Sequence, residues 1–324
     1  MIQAVHITSF QNAELVSVPP NDTPLAPDEV AGKTITTLIS QGTELGLHYR
    51  KTVDFPLRPG YAAAWRVERV GSAINDLKPG DIVFSRGEHK SAQRDKRELI
   101  AKLPDGLSPD AAVFARMMCV SMATIVSTKA YPPQRVLITG LGPVGHLAAQ
   151  MFSACGYEVT AVDPQESRRK YLQGVPLAAL LPSVPVTDPG FAGSVALVLE
   201  CSGHEQAALD GCRMIKKGGE VVLVGTPWRK QTEISAWEIT QAVFYKFAQL
   251  RSGWEYELPD LATEFRRGSI MENFASALKW LANGKVKVDG LYHKVSPADP
   301  QKAYQDLLHN RAPSLVTLFD WTML

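Results

Sequence analysis

The stretch 135-RVLITGLGPVGHLAAQMFSACG-156 joins three patterns that predict a strand, a tight turn and a helix. RVLIT is a short apolar run typical of a buried strand, and the glycine-rich GLGPVG follows it at once. HLAAQMFSACG then has the spacing of an apolar helix. Further apolar runs follow along the chain: YEVTAVD, ALVLECSG and GEVVLVGTP. This repetition predicts a doubly wound parallel sheet with helices on both faces.

The glycine-rich turn has the spacing of a dinucleotide-binding loop. Gly140 permits the tight turn, Gly142 lets the backbone approach a pyrophosphate, and Gly145 allows the helix to pack closely on the strand. Pro143 and Val144 belong to the same predicted cofactor-binding turn, and the helix that the turn opens has N-terminal N–H groups that favour an anion. The alternative is a glycine-rich turn without a ligand, but the ordered context of strand, turn, helix and strand favours the cofactor site.

An acidic residue ends the second strand, 18 residues after Gly145. The Asp163 carboxylate can bind both ribose hydroxyls of an adenosine and repels a 2′-phosphate, so we expect NAD, with NADP possible. Arg168 and Arg169 follow it, and two interpretations stay open. They hold a 2′-phosphate, or they are the solvated start of the next helix, with one of them beside the adenosine.

The parts of the chain on either side have different patterns. Residues 1 to about 115 carry short alternating runs broken by Pro and Gly, which predicts a small antiparallel β domain. Near residue 108 the spacing becomes helical, with Ser108 or Asp110 able to cap the helix. After about residue 265, NFASALKWLANGK and SPADPQKAYQDLLHN predict amphipathic helices, and SLVTLFDW predicts a strand.

Composition excludes several classes of partner. The 324 residues have a net charge of +1, so no global field favours nucleic acid or an anionic membrane. No stretch approaches the roughly 20 apolar residues that span a bilayer, and the N-terminus lacks a signal-peptide pattern. The four cysteines are scattered without a CxxC pair, which favours reduced thiols and a cytoplasmic protein.

With these residues considered, the chain resembles the medium-chain dehydrogenase/reductase superfamily, the zinc alcohol dehydrogenase-like proteins. The resemblance covers nearly the whole chain and rests on segments SQGTE, PGYAAAWRVERVG, PGDIVF, LPDGLSPDAAVFA, GLGPVG, AVD and GGEVVLVG. It implies an α/β fold of three segments: a GroES-like β domain over 1–122, a Rossmann domain over 123–267, and a return of 268–324 to the first domain.

The resemblance also implies that the catalytic zinc ligands are missing. Where zinc members have cysteine, histidine, glutamate and an acidic or cysteine residue, this chain has Gln41, Tyr61, Ala62 and Arg116. These do not form the thiolate, imidazole or carboxylate set that zinc requires, so we expect no zinc. The cysteine-rich lobe for a structural zinc is absent as well. The residues whose side chains could still bind a relocated metal are Glu44, His48, His89 and Cys119.

A zinc-free member needs another way to stabilise charge on a substrate oxygen. Tyr61 can donate its hydroxyl, Arg116 can present a fixed positive charge, and Thr43 matches the hydroxyl that begins the proton relay in zinc members. Each has a structural alternative. In these alternatives Tyr61 only fills the space left by the metal, Arg116 pairs with the Glu44 carboxylate, and Thr43 caps its turn. We interpret Gln41 and Glu44 as polar lining of the cleft.

Other positions follow from the resemblance. Cys201 and Ser202 line the nicotinamide ribose, with the cysteine no nucleophile, and Gly225 and Thr226 lie beside the nicotinamide. The segment KFAQLRSGWEYE resembles the last Rossmann strand, whose edge commonly pairs in a homodimer. The mixed-charge run 86-RGEHKSAQRDKRE-98 is interpreted as a solvated loop.

The sequence therefore predicts a zinc-independent NAD(P)(H)-dependent oxidoreductase. It would transfer hydride between nicotinamide and a small carbonyl, alcohol or activated alkene. The alternative is a dinucleotide-binding sensor or accessory protein without turnover, because every expected metal ligand is lost and no replacement base is evident.

Overall fold

A computed structural model describes residues 1–49 and 54–324, without the side chains of Leu47 and His48, so the candidate ligand His48 lies outside the described side chains. The chain divides into two compact units. The first consists of Met1–Arg116 and Phe274–Leu324, and the second of Met117–Asn273.

The regular elements follow the chain in the order expected of an α/β protein. The strands are β1 Ile2–Ser9, β2 Asn12–Val18, β3 Glu29–Leu38, β4 Ala63–Val70, β5 Ile82–Ser85, β6 Ala92–Lys96, β7 Ala101–Lys102, β8 Arg135–Thr139, β9 Glu158–Val162, β10 Ala179–Leu181, β11 Val195–Glu200, β12 Ile215–Leu223, β13 Gln249–Ser252, β14 Tyr292–Val295 and β15 Val316–Asp320. The α-helices are α1 Gln41–Thr43, α2 Pro109–Ala112, α3 Ala115–Ser127, α4 Pro143–Ala154, α5 Glu166–Arg169, α6 Glu205–Met214, α7 Ala236–Lys246, α8 Ile270–Ala282 and α9 Pro300–Leu308.

The first unit is built on a mainly antiparallel sheet. Its strands lie in the order β14-β15-β3-β4-β5-β7, and β6 also pairs with β3. Strand β15 runs antiparallel to β3, so the C-terminal segment completes the sheet begun by the N-terminal segment. A separate hairpin, β1 with β2, lies in the same unit. The segments Met1–Arg116 and Phe274–Leu324 thus share one sheet, while the predicted domain bounds 1–122, 123–267 and 268–324 stay predictions.

The second unit contains a parallel sheet in the order β10-β9-β8-β11-β12-β13. Numbered within the unit, this is 3-2-1-4-5-6, the order of a doubly wound dinucleotide-binding fold. Val136 and Ile138 of β8 pack in one core cluster and Leu137 in another, because successive side chains of a strand point to opposite faces. Both faces of the sheet are therefore buried. The switch in strand order lies between β8 and β11, where such folds bind ligands.

Two expectations need correction. The run 86–98 is only partly a loop, because residues 92–96 form β6 and Arg94 pairs with Glu29 at 2.5 Å. In addition, the segment 109–127 is long and apolar enough to cross a membrane by length and composition, although no such stretch was expected. Of its most apolar window, 67% is buried inside the protein, as in a core helix. Ser108, one of the two predicted caps, accepts the Ala111 N–H at the start of this segment.

Candidate functional site

The glycine-rich turn connects β8 to α4 in the second unit. Gly140 has φ of +82°, a backbone conformation that favours glycine. Gly142 is the N-cap residue of α4, and Pro143 occupies the first turn, where its missing N–H costs no hydrogen bond. The first turn of α4 carries no acidic side chain. The helix therefore presents its N-terminal N–H groups without a competing carboxylate of its own.

The three glycines of the turn have different surroundings. A Cβ atom on Gly145 would stand 1.8 Å from the Gly140 carbonyl oxygen, so only glycine fits between helix and turn. By contrast, a Cβ on Gly142 would meet no heavy atom within 4 Å. The fold therefore requires glycine at position 145, whereas Gly142 leaves open space at the helix N-terminus. A pyrophosphate requires such space for close backbone approach.

The carboxyl ends of β8, β11 and β12 come together beside this turn. A Cβ on Gly140 would lie 2.7 Å from Ser202, and one on Gly145 would lie 3.1 Å from the Cys201 Cβ. Gly225 approaches Cys201 as closely, since its Cβ would be 2.6 Å from the Cys201 carbonyl carbon. The predicted positions Cys201, Ser202 and Gly225 are thus gathered around the glycine-rich turn.

Thr226 belongs to the same group, because its carbonyl oxygen would stand 2.5 Å from a Cβ on Gly203. Burial raises the pKa of the Cys201 thiol well above its usual value, and the neighbouring Glu200 carboxylate raises it further. Such a thiol stays protonated at neutral pH, which fits its interpretation as lining and not as a nucleophile.

A buried carboxylate that sequence reasoning missed organises this loop. Glu200 is 1% exposed and accepts hydrogen bonds from the N–H groups of Ser202 at 2.7 Å and Gly203 at 2.9 Å. The Ser202 hydroxyl also donates to it, and the Thr139 hydroxyl lies 3.4 Å away. Burial raises the pKa of Glu200, although these donors act in the opposite direction. The only sequence signal was an acidic residue in the otherwise apolar strand VALVLE.

Asp163 at the end of β9 is buried, with 1% of its surface exposed. Its Oδ2 atom accepts the Leu141 N–H at 2.8 Å and its Oδ1 atom accepts the Gln165 N–H at 2.8 Å. The carboxylate therefore fixes the glycine-rich turn to the second strand. A ribose diol at this position would share a carboxylate that already accepts two backbone donors.

The two arginines after Asp163 have separate contacts. Arg168 lies 3.4 Å from the Asp163 Oδ2 atom, and Arg169 donates to the Asp163 carbonyl oxygen at 2.6 Å. Both belong to α5. Arg168 is thus placed against the carboxylate that was predicted to select NAD, and its positive charge offsets part of the repulsion expected toward a 2′-phosphate.

The three candidate catalytic residues meet at Tyr61 in the first unit. The Thr43 hydroxyl lies 3.2 Å from the Tyr61 hydroxyl, which donates a hydrogen bond to the Ser40 hydroxyl. The Arg116 guanidinium lies over the Tyr61 ring, 4.3 Å from its centroid. The structure therefore brings Thr43, Tyr61 and Arg116 together. Their catalytic roles stay predictions.

The environment of Tyr61 sets its protonation. Burial raises the pKa of the Tyr61 phenol, while the Arg116 charge and the hydrogen bonds to Ser40 and Thr43 act to lower it. The net direction is upward, so the phenol is a neutral hydrogen-bond donor at neutral pH. Arg116 is 5% exposed, which keeps its charge close to the ring.

The predicted polar lining is wrong for Glu44. This residue is 1% exposed, and its carboxylate accepts the Ser40 N–H at 2.7 Å and a hydrogen bond from the Tyr304 hydroxyl. His89 Nε2 lies 3.1 Å from the same carboxylate. The reason is topological: His89 and Tyr304 lie 45 and 260 residues from Glu44 along the chain, and only the folded unit brings them to it. Gln41 donates to the Leu315 carbonyl at 2.8 Å.

The side chains at the family's zinc positions do not fit a zinc ion. Gln41 binds a backbone carbonyl, Tyr61 is a neutral phenol engaged with two hydroxyls, and Ala62 has no ligand atom. Over residues 1–49 and 54–324, His48 apart, no group of three or more His, Cys, Asp or Glu side chains is placed to hold a metal. Glu44 and His89 meet as a pair, and Cys119 is buried in the second unit.

Comparison with known proteins agrees with the doubly wound fold of the second unit. Residues 143–246 match the family model described as zinc-binding dehydrogenase. L-galactonate-5-dehydrogenase of Escherichia coli K12 is 27% identical over 221 residues, which are 64% of this chain and 58% of that protein. An alcohol dehydrogenase of Geobacillus stearothermophilus is 29% identical over 138 residues, 40% of each chain. The matches thus span less than two thirds of these relatives' own lengths.

The fold extends further than the sequence matches. The crystal structure of galactitol-1-phosphate dehydrogenase from Escherichia coli superposes with a TM-score of 0.81 at 19% identity, covering 98% of this chain and 99% of the other. At that identity the likeness concerns the fold. Together, the family match, the relatives and the fold support the resemblance of the chain to the medium-chain dehydrogenase/reductase superfamily.

Proposed function

We propose that the protein is a zinc-independent NAD(P)(H)-dependent oxidoreductase acting on a small carbonyl, alcohol or activated alkene. The observation that carries the proposal is the glycine-rich turn of a doubly wound sheet, where Gly142 leaves open space at a helix N-terminus. The names of the relatives, which include a galactonate and a galactitol-phosphate dehydrogenase, make polyols and their ketones the first substrates to test.

The residues present fit a dinucleotide. Gly140, Gly142 and Gly145 would hold the pyrophosphate against α4, and Asp163 would meet the adenosine ribose. The loops at Cys201–Ser202 and Gly225–Thr226 would line the nicotinamide side. When bound, the cofactor supplies or accepts the hydride, and the protein positions it.

Tyr61 is the residue to which we assign the donor role toward the substrate oxygen. Its neutral phenol can turn its hydrogen from Ser40 toward a carbonyl, since the Ser40 and Thr43 hydroxyls can then donate to the phenol oxygen. The Arg116 charge over the ring would favour negative charge developing at that oxygen. Thr43 would serve the same phenol as a proton relay.

The absence of zinc is part of the proposal and rests on the donor set at the first turn. Gln41, Tyr61 and Ala62 present no thiolate, imidazole or carboxylate there. Metal analysis of purified, active protein tests it directly. Near-stoichiometric zinc that is required for turnover would overturn this part and leave the cofactor site untouched.

NAD is the preferred cofactor of the proposal, with NADP admitted. The buried Asp163 carboxylate at the end of β9 supports this preference. Arg168, which lies 3.4 Å from that carboxylate, weakens the discrimination against NADP. Fluorescence titration with NADH and NADPH measures the preference. We expect tighter binding of NADH, by a modest factor.

The decisive experiment is a turnover screen of polyols, aldehydes, ketones and enones with both cofactors. Wild type is compared with Tyr61→Phe, which keeps the ring under Arg116 but removes the hydroxyl. Loss of one donor to a developing oxyanion costs about 10²–10³ in kcat. Tight NADH binding without turnover of any substrate would instead support the alternative, a dinucleotide-binding sensor or accessory protein.

We also propose that the protein is a cytoplasmic homodimer joined along β13. This strand is at the edge of the parallel sheet. Large aromatic side chains flank it in sequence and are exposed, among them Phe244 at 75%, Phe247 at 73% and Trp254 at 67%. An exposed edge bordered by aromatic surface favours pairing with a second copy.

A further inference from the structure

A buried polar cluster supports the turn that carries Ser40 and Thr43. We call it the Glu44 cluster, and its members are Thr37, Glu44, His89, Tyr304 and Trp321. Each member is at most 5% exposed. The proposed reaction uses none of these side chains directly.

The position of the Glu44 carboxylate is fixed from three directions. It meets the Ser40 N–H at 2.7 Å, His89 Nε2 at 3.1 Å, and the Tyr304 hydroxyl. A buried carboxylate is costly unless donors surround it, so each of the three contacts constrains where the side chain can lie.

His89 is in turn held by its other ring nitrogen. Nδ1 lies 2.7 Å from the Thr37 hydroxyl, which also accepts the Trp321 indole N–H at 3.0 Å. The ring packs edge-on against Phe319, with centroids 5.1 Å apart. The imidazole therefore has little freedom to follow Glu44 if the turn moves.

The turn transmits this constraint to the phenol of Tyr61. Glu44 accepts the backbone N–H of Ser40, the residue whose hydroxyl accepts the Tyr61 hydrogen bond. Thr43 lies between Ser40 and Glu44 in the sequence, and its hydroxyl is 3.2 Å from the same Tyr61 phenol oxygen. One short turn thus has the Glu44 cluster on one side and the proposed substrate donor on the other.

We propose that His89 and Tyr304 are positioning residues for the Tyr61 phenol. They hold the Glu44 carboxylate, which holds the turn whose Ser40 and Thr43 hydroxyls orient the phenol. The inference rests on the proposed function only in taking Tyr61 as the donor to substrate. It assigns to two residues distant in sequence the task of keeping that donor in place.

The aromatic pair Tyr49–Tyr304 provides a matched test. The two rings stack with centroids 5.2 Å apart, but only Tyr304 contacts Glu44, whereas the Tyr49 hydroxyl contacts Gln301 and Gln305. Tyr304→Phe and Tyr49→Phe each remove one buried hydroxyl from the same stack. In protein labelled with ¹³Cζ-tyrosine, the Tyr61 resonance is identified by its loss in Tyr61→Phe.

We expect the Tyr61 resonance to shift in Tyr304→Phe and to stay in place in Tyr49→Phe. Equal shifts in both variants, or an unmoved Tyr61 signal in Tyr304→Phe, would overturn the proposal. Should Tyr304→Phe not fold, His89→Gln and His89→Leu test it independently. Glutamine keeps an N–H donor, so its Tyr61 signal should lie closer to wild type than that of the leucine variant.

A kinetic readout separates this proposal from the proposed function. With a substrate found in the turnover screen, Tyr304→Phe should lower kcat about tenfold with little change in KM, because a misplaced donor affects the transition state. Tyr49→Phe should keep both values. If wild type turns nothing over, the proposed function fails, while the Tyr61 resonance still decides whether the Glu44 cluster positions the phenol.

Discussion

The backbone N–H of Leu141, inside the glycine-rich turn, donates to the carboxylate of Asp163 at 2.8 Å. The residue predicted to select the cofactor therefore also holds in place the loop that is proposed to bind it. Substitutions at this position will change both the unfolding free energy and the cofactor affinity, and experiments must separate the two.

Asp163→Asn is expected to lower stability even without cofactor. The amide offers one acceptor oxygen where the carboxylate offered two, so either Leu141 or Gln165 loses its partner, at a cost of about 1–3 kcal/mol. Denaturant unfolding of the apo protein measures this. Asp188→Asn is the control, because Asp188 is exposed and its Oδ1 accepts the Gly190 N–H at 2.8 Å. Equal unfolding midpoints of the two variants would contradict the assignment.

Gly142→Ala should mainly lower the affinity for NADH, whereas Gly145→Ala should mainly lower the stability of the fold. The Gly142 site has open space for a methyl group and a negative φ, so the unfolding free energy should fall by no more than about 1 kcal/mol, the cost of alanine at an N-cap. NADH affinity should fall at least about tenfold, because the methyl group occupies the space for pyrophosphate. Gly145→Ala should destabilise the fold by about 1–3 kcal/mol through overlap with Gly140. Unfolding curves and NADH titration distinguish the two, and unchanged NADH affinity in folded Gly142→Ala would refute the cofactor site.

The stability of the second unit should depend on pH through His146. Burial lowers the pKa of this imidazole, whose Nε2 lies 3.1 Å from the Tyr171 carbonyl oxygen. A lowered folded pKa means that stability is present above the unfolded value of about 6.5 and is lost as pH falls through the folded value. His146→Gln should remove this loss.

The measurement is denaturant unfolding of wild type and His146→Gln between about pH 5 and 8. The unfolding free energy of wild type should fall relative to that of His146→Gln as the pH is lowered. Parallel curves for the two proteins would show that His146 does not titrate as described.

Charge placed on the aromatic surface beside β13 should dissociate the proposed homodimer. Phe244 and Tyr245 are 75% and 68% exposed, so Phe244→Glu with Tyr245→Lys should leave the fold intact. Light scattering should give twice the chain mass of 35.4 kDa for wild type and a single chain mass for the variant. The control is Phe10→Lys, at an exposed aromatic side chain of the first unit. A monomeric wild type would disprove the dimer.

The sequence alone determined the parallel sheet and its glycine-rich turn, because both depend on local order. GLGPVG between an apolar strand and an apolar helix requires the tight turn at Gly140 and the close packing at Gly145, and the structure shows both. The resemblance to one superfamily also gave the three positions that meet at Tyr61. Gly225 and Thr226, which lie beside Cys201 and Gly203 in the second unit, followed from the same resemblance.

Only the tertiary structure decided which polar groups support those positions. Glu44 was interpreted as lining, and His89 lay within a charged run interpreted as a loop, yet both are buried, and His89 and Tyr304 contact the Glu44 carboxylate. Glu200 was overlooked within a strand. Local sequence does not reveal the partners of Glu44, because His89 and Tyr304 lie far along the chain and a buried carboxylate becomes favourable only when folding brings donors to it.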